Sequence, residues 1–325
     1  DLHSFPTRRS SDLCVSVRCM EWRNIILRIS VVVTTYNGKM HLEKQLLSLL
    51  QQERAPDEVL IFDDGSTDGT IELVQSFIRK NCLESWQFYV NAKRKGWKRN
   101  FMEGLRKAAG DILFPCDQDD IWYPRKLAEM TAVMEQHPEI KLLACDYRVL
   151  YEPGALKATV YKKTPAETQG LITRYGFTKH FFMNPYPGCT YAVRRDFFDA
   201  VKELWFDGSP HDEFLWLMAA VQDGAWFYNR VLMDYVRYSD NASGVRYKDV
   251  ALQKENLRYI HKQLCALQSF AAEHPDAVPV ERCKMLAAAQ IWCAKRQKLM
   301  ETRSPLRWLA LAPWWGMVSD RKSGS

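Results

Sequence analysis

With 325 residues, 47% of them hydrophobic and 26% charged, the chain has an ordinary globular composition, enough for one large domain with an appendage or for two domains. Its formal net charge of +6 suits a phosphate-bearing ligand or an anionic surface and is too small to argue for nucleic acid. Nine cysteines, with no CxxC pair and no metal-ligand spacing, point to a reduced, cytoplasmic compartment. No apolar run approaches the roughly 20 residues of a bilayer span, so membrane contact is expected only as a peripheral one on the inner face.

Residues 1–13 show neither helical nor strand periodicity and look like translated adapter sequence. The expectation is that residues 1–24 are a non-native or disordered leader, with Met20 as a start. Regular structure begins at Ile25. Ile29 to Val33 is a continuous β-branched run, as in a strand buried on both faces, and it ends in the loop Thr34-Thr35-Tyr36-Asn37-Gly38. Leu42, Leu46, Leu49 and Leu50 then recur at helical spacing. Val59–Phe62 reads as a second strand, followed by Asp63-Asp64-Gly65-Ser66-Thr67-Asp68-Gly69 and a helix carrying Ile71, Val74 and Ile78. Trp86–Val90 is a third strand, Phe101, Leu105 and Ala108 mark a helix with Gly110 as its cap, and Ile112–Phe114 is a fourth strand. Pro124 fits the first turn of a helix ending before Pro138. Four strand–helix alternations predict an α/β fold with a mostly parallel central sheet and helices on both faces.

Directly after the fourth strand comes Asp117-Gln118-Asp119-Asp120. At about 4 Å and an effective dielectric near 20, each like-charged pair costs roughly 4 kcal/mol, so a divalent cation is the simplest companion. An extended segment would turn Asp117 and Asp119 one way and Asp120 the other. Ligands of such sheets bind beyond the carboxyl ends of the strands, so the loops 34–38, 63–69 and 117–120 should converge on one crevice. Neither G-x-G-x-x-G after the first strand nor G-x-x-x-x-G-K-[ST] is present, which disfavours a dinucleotide cofactor and a Walker-type phosphate loop.

The ordered set Ser30–Gly38, Ile61–Asp68 and Asp117–Trp122 resembles the family 2 glycosyltransferases, and within them the rhamnosyltransferase-like bacterial members that build surface polysaccharides. The resemblance covers about residues 26–245. It implies a GT-A fold over residues 25–245, with residues 246–325 as a C-terminal helical extension. It also implies a nucleoside-diphosphate sugar donor (dTDP- or UDP-linked), a glycan or lipid-linked acceptor and usually inversion at the anomeric carbon. By that similarity Thr35, Tyr36, Asn37, Asp63 and Asp64 hold the nucleoside, with Asn100 at a family position in Gly96–Phe101. Asp117 and Asp119 form the D-x-D motif for Mg²⁺ or Mn²⁺, with Asp119 the direct ligand. Gly188, in Pro187–Arg195, matches the family's glycine-containing strand beside the donor sugar, and Asp212, in His211-Asp212-Glu213, matches its general base. The bare residues leave Asp212 open as a simple helix cap.

One departure stands out. In Tyr235–Gly244 the family commonly has a histidine where Tyr238 falls, and a neutral phenol is a poor metal ligand. Arg237 would then take over diphosphate charge. The departure keeps open a catalytically silent sugar-nucleotide-binding protein. A sugar-phosphate nucleotidyltransferase is the third class, disfavoured because Tyr36-Asn37-Gly38 supplies no glycine-rich phosphate loop. Residues 248–273 and 280–301 carry helical spacing, and the aromatic tail Leu306–Trp315 is a candidate for the membrane interface or for core cover.

Overall fold

The computed structural model describes residues 27–155, 168–178, 184–238 and 250–302. The leader, the 239–249 segment after Tyr238 and the tail at 306–315 lie outside the described residues. The strands of the first half follow the sequence closely: β1 Ile29–Thr35, β2 Glu58–Asp63, β3 Trp86–Val90 and β4 Ile112–Cys116, separated by α1 Lys39–Leu50, α2 Thr70–Lys80 and α3 Trp97–Lys107. The short β5 (Ile121–Trp122) and α4 (Lys126–Gln136) complete this half. Pro124 lies ahead of α4 rather than in its first turn, because Arg125 takes the capping position.

The side-chain period of two explains how the layers form. Val32, Leu60 and Leu113 point to one face, where Phe101 and Leu105 of α3 cover them. Val31, Val33, Val59, Ile61, Ile112 and Phe114 point to the other, onto Leu42, Leu46, Val74, Leu127 and Met130 of α1, α2 and α4. Every residue of β1 and β2 is buried, which is why Val31–Val33 and Val59–Phe62 at their centres read as unbroken apolar runs. Gly110 is not a helix cap. Helix α3 ends at Ala108 in an extended conformation, and the Gly110 N–H donates to Ser30 Oγ at 2.7 Å, so close to β1 that a Cβ would collide with the Ser30 backbone.

The second half was less predictable. It adds β6 Leu142–Tyr151, β7 Ile172–Arg174, β8 Tyr191–Arg194, α5 Arg195–Val201, α6 His211–Val221 and β9 Ala225–Arg237. Among the described residues the sheet runs β3-β2-β1-β4-β8-β6-β9-β5, with β7 also on β9. The pairs β1–β2, β1–β4, β2–β3 and β6–β9 are parallel, whereas β8 is antiparallel to both β4 and β6. The pairing of β6 with β9 shifts register between Cys145 and Arg148, as at a β-bulge.

Helices α7 (Val250–Glu273) and α8 (Val280–Thr302) match the expected spans within two residues. Leu257, Leu264, Leu267, Leu286 and Trp292 join the core formed by α3, α6 and the sheet. Among the described residues no helix is long and apolar enough to cross a membrane.

Candidate active site

The three loops that follow β1, β2 and β4 meet at one edge of the sheet. Thr35 Oγ1 donates to Asp63 Oδ2 at 2.8 Å, the Asn37 N–H to Ser66 Oγ at 2.8 Å, and the Tyr36 N–H to Gln118 Oε1 at 2.9 Å. The acidic pair after β2 organises the backbone around it. Asp63 also accepts from the N–H groups of Gly65 and Ser66 and from the Ser66 hydroxyl. Asp64 accepts from the N–H groups of Lys95 and Gly96, at 2.7 and 2.8 Å, and from Asn91 Nδ2. Gly96 is the N-cap of α3, so the Asp64 carboxylate also faces the positive end of that helix.

Asn100 is 1% exposed, with its amide donating to Phe62 O and accepting from Asn91. It locks the end of β2 against α3. The basic run beside it is largely engaged as well. The Arg94 guanidinium lies 3.9 Å over the Tyr36 ring, Lys98 donates to Gly208 O at 2.7 Å, and Arg99 pairs with Asp207 at 2.8 Å. These last two contacts tie α3 to the loop that leads into α6.

Residues 117–120 form a turn rather than an extended strand, so Asp120 is not turned away. Asp117, Asp120 and Cys189 each offer a ligand atom, all within 4.8 Å of one another. Asp120 is buried and its Oδ2 has no hydrogen-bond partner. Burial, then the charges of Asp119 and Asp212, push the Asp117 carboxyl up to about 7. Burial also holds Asp119 above the ordinary carboxylate range, against the hydrogen bond from Tyr238 and the positive charge of Arg237. Tyr238 OH donates to Asp119 Oδ2 at 2.8 Å, and its ring stacks on His41 at 4.4 Å.

Asp212 stands in the first turn of α6, facing this cluster closely enough for its charge to be felt at Asp117. It receives hydrogen bonds from its neighbour Glu213 N–H at 2.9 Å, from Asn184 Nδ2 at 3.3 Å and from the Gly188 N–H. Burial, then Glu213, raises it to about 7. Gly188 is glycine because α6 arrives so close: a Cβ there would press into the His211 ring and sit 3.1 Å from Asp212 Cβ. His211 is buried on Phe101 with ring centroids 4.0 Å apart, and burial lowers it to about 3, so it is a neutral packing group.

The structure thus gathers Thr35, Tyr36, Asn37, Asp63, Asp64, Asn100, Asp117, Asp119, Gly188, Asp212 and Arg237 at one edge of the sheet, and adds groups that sequence reasoning missed. Gln118 bridges to both the N–H and the carbonyl of Tyr36, and Asn184 holds Asp212. Gln118 sat inside a motif already singled out, whereas nothing in the sequence around Asn184 set it apart.

The family description Glycosyl transferase family 2 matches residues 30–198, just over half of the sequence, and the chain belongs to that family. It is 24% identical over 228 residues to the dTDP-rhamnosyl transferase RfbG of Shigella flexneri, covering 65% of this chain and 73% of RfbG. It is 31% identical over 155 residues to the poly(ribitol-phosphate) beta-N-acetylglucosaminyltransferase TarS of Staphylococcus aureus, a stretch that spans only 26% of TarS. The crystal structure of S. aureus TarS 1–349 in complex with UDP-GlcNAc superposes with a TM-score of 0.58 at 17% identity, over 84% of this chain and 81% of that one. A mannosyltransferase from Pyrobaculum calidifontis in complex with GDP-Man and Mn²⁺ gives 0.51 at 18% identity, over 89% and 76%. The fold is of the GT-A type.

Proposed function

We propose that the chain transfers a sugar from a dTDP- or UDP-linked donor to a hydroxyl of a glycan or lipid-linked glycan, with inversion, in the synthesis of a bacterial surface polysaccharide. The observation that carries this reading is Asp212: a carboxyl raised to about 7, held by the Gly188 N–H and Asn184, across the crevice from Asp117 and Asp119. A base with that proton affinity is poised for work near neutral pH.

Thr35, Tyr36 and Asn37 would line the nucleoside pocket. Asp63, Asp64 and Asn100 serve it by fixing the loops around it, their polar atoms being engaged in doing so. Arg94, stacked on Tyr36, would stiffen that wall, and Arg237 would face the diphosphate. The acceptor oxygen attacks the anomeric carbon from the face opposite the diphosphate, its proton passes to an Asp212 oxygen, and the sugar–phosphate bond breaks. Trp97, 46% exposed and edge-on to His211 at 6.2 Å, offers a flat apolar face for the acceptor sugar beside that base.

A divalent cation fits the donor set. The acidic turn offers oxygen ligands, with atoms of Asp117, Asp120 and Cys189 within 4.8 Å of one another, and burial raises the proton affinity of Asp117 and Asp119, a penalty that a bound cation would relieve. Asp119 with Asp117 would hold Mg²⁺ or Mn²⁺, which supplies Lewis-acid stabilisation of charge on the leaving diphosphate. On this reading residues 25–245 are the transferase domain and 246–325 a helical extension that reaches a membrane-borne acceptor from the cytoplasmic side.

The test is Asp212→Asn, assayed for nucleoside diphosphate release across UDP- and dTDP-sugars with a glycan acceptor panel and Mn²⁺. A fall of at least about 10²-fold with donor binding retained is expected. Equal turnover by both proteins defeats the assignment. Equal inertness supports the second reading, a silent sugar-nucleotide-binding protein, which the Tyr238–Asp119 hydrogen bond favours.

A further inference from the structure

Helix α7 reaches the neighbourhood of Asp212 through a cluster of buried polar groups. The Tyr259 hydroxyl donates to Glu213 Oε2 at 2.8 Å and accepts from Gln263 Nε2 at 2.6 Å, with Ser209 Oγ 3.4 Å away. Gln263 Nε2 also reaches Ser209 Oγ at 3.2 Å, and Ser209 and Gln263 are 0% and 1% exposed. A phenol has one proton and two lone pairs; here the proton goes to Glu213 and the lone pairs face Gln263 and Ser209. Burial, then the charge of Glu213, holds the phenol above its ordinary range, so it stays a donor.

This cluster holds the entry to α6. That helix starts after Pro210 with no side-chain hydrogen bond to cap it, so its first turn is fixed by contacts from elsewhere. Lys98 and Arg99 of α3 hold Gly208 and Asp207 on one side, and Trp205 Nε1 donates to Ser209 O at 3.0 Å. Tyr259 and Gln263, four residues apart on one face of α7, hold the other side. Glu213 is the link to the base. Its backbone N–H donates to Asp212 Oδ1 at 2.9 Å, while its side chain is tied to Tyr259.

We infer that Tyr259 is a positioning residue for the base: its phenol, backed by Gln263 and Ser209, holds the Glu213 side chain so that the Glu213 N–H keeps the Asp212 carboxyl in place. Helix α7 then belongs to the active site rather than to an appendage, although the family match ends at residue 198. The role in sugar transfer rests on the proposed function. The tether from α7 to Glu213 does not, and it is tested without donor.

The experiment compares Tyr259→Phe, Glu213→Ala and the double variant with the wild type in the full chain. Two readouts are taken: amide hydrogen exchange without donor, and nucleoside diphosphate release from UDP- and dTDP-sugars with Mn²⁺. Tyr259→Phe keeps the ring beside Phe206 and removes only the hydroxyl. Exchange across residues 209–213 should quicken roughly tenfold, the scale of one lost hydrogen bond. In transfer, kcat should fall roughly tenfold to hundredfold with the donor KM unchanged, because a misplaced base slows the chemical step. Glu213→Ala cuts the same tether from its other end and should copy both effects, and the double variant should be no worse than the worse single. Unchanged exchange at 209–213, a kcat equal to that of the wild type, or losses that add in the double variant overturn the inference. So does a lowered thermal midpoint with kcat and KM unmoved, the mark of a merely structural tyrosine. Should Tyr259→Phe fail to fold, Glu213→Ala decides by the same readouts. A wild type inert toward every donor defeats the proposed function instead, and exchange alone then decides the tether.

Discussion

Tyr238 donates its phenol proton to Asp119 Oδ2 at 2.8 Å, so one oxygen of the carboxylate proposed to hold the metal is already engaged. Burial, together with Asp119 itself, keeps that phenol above its ordinary range and therefore protonated. Tyr238→His should replace a competing donor with a ligand or a diphosphate partner. The expected outcome is a roughly tenfold lower half-saturating Mn²⁺ concentration in the transfer assay, the scale on which contacts to ligating groups move metal affinity. An unchanged Mn²⁺ titration would separate Tyr238 from the metal.

Asp212 sets a pH dependence. With its carboxyl at about 7, kcat/KM should rise with pH through about 7 and level off above it. The same shift acts on stability. The carboxyl keeps its proton up to about 7 in the fold but only to about 3.8 when unfolded. Its contribution therefore favours the fold fully below about 4 and is lost as pH rises through about 7. Thermal midpoints measured from pH 4 to 8 should show this decline in the wild type and a shallower one in Asp212→Asn.

Asp64 accepts from two backbone N–H groups and one amide at the start of α3. Asp64→Ala removes the charged acceptor of those partly buried donors and should cost roughly 2 kcal/mol in denaturant unfolding. Because the same loop carries Arg94 over Tyr36, the donor KM should rise with it. A stability loss with an unchanged donor KM would take this loop out of the nucleoside pocket.

Leu264, fully buried on α7, belongs to the core that holds α6. Leu264→Ala should cost about 2–5 kcal/mol, as for other large-to-small changes in a packed core. A loss below about 1 kcal/mol would mean that α7 is only loosely attached.

The first half of the chain was legible because its strands are buried on both faces. Val31–Val33 and Val59–Phe62 carry nothing but apolar side chains, and the polar turns beyond them hold the chemistry. The second half was not, for physical reasons. The thirteen-residue β9 mixes Asn229, Arg230 and Asp234 with apolar residues, since it borders both the core and a polar crevice. The antiparallel insertion of β8 between β4 and β6 depends on long-range pairing that no local pattern announces. At the site, Asp117, Asp119 and Asp212 stood out by charge and order. Tyr259 did not, because a tyrosine at helical spacing normally reads as core, and only the packing shows its hydroxyl on Glu213.

Among the described residues the two halves of the sheet are joined by four residue pairs, Ile112 with Arg194, Leu113 with Val193, Ile121 with Asp234 and Trp122 with Met233, whereas β6 and β9 are paired along most of their length. The loops proposed to bind the donor hang from one side of this seam, and Asp212 with its supporting helices from the other. Such a join is a natural crossover point. Grafting the half from Leu142 onward from a relative should change which hydroxyl is glycosylated while the nucleotide preference stays with the first half. New linkages can then arise by exchanging one half of the molecule instead of rebuilding the whole crevice.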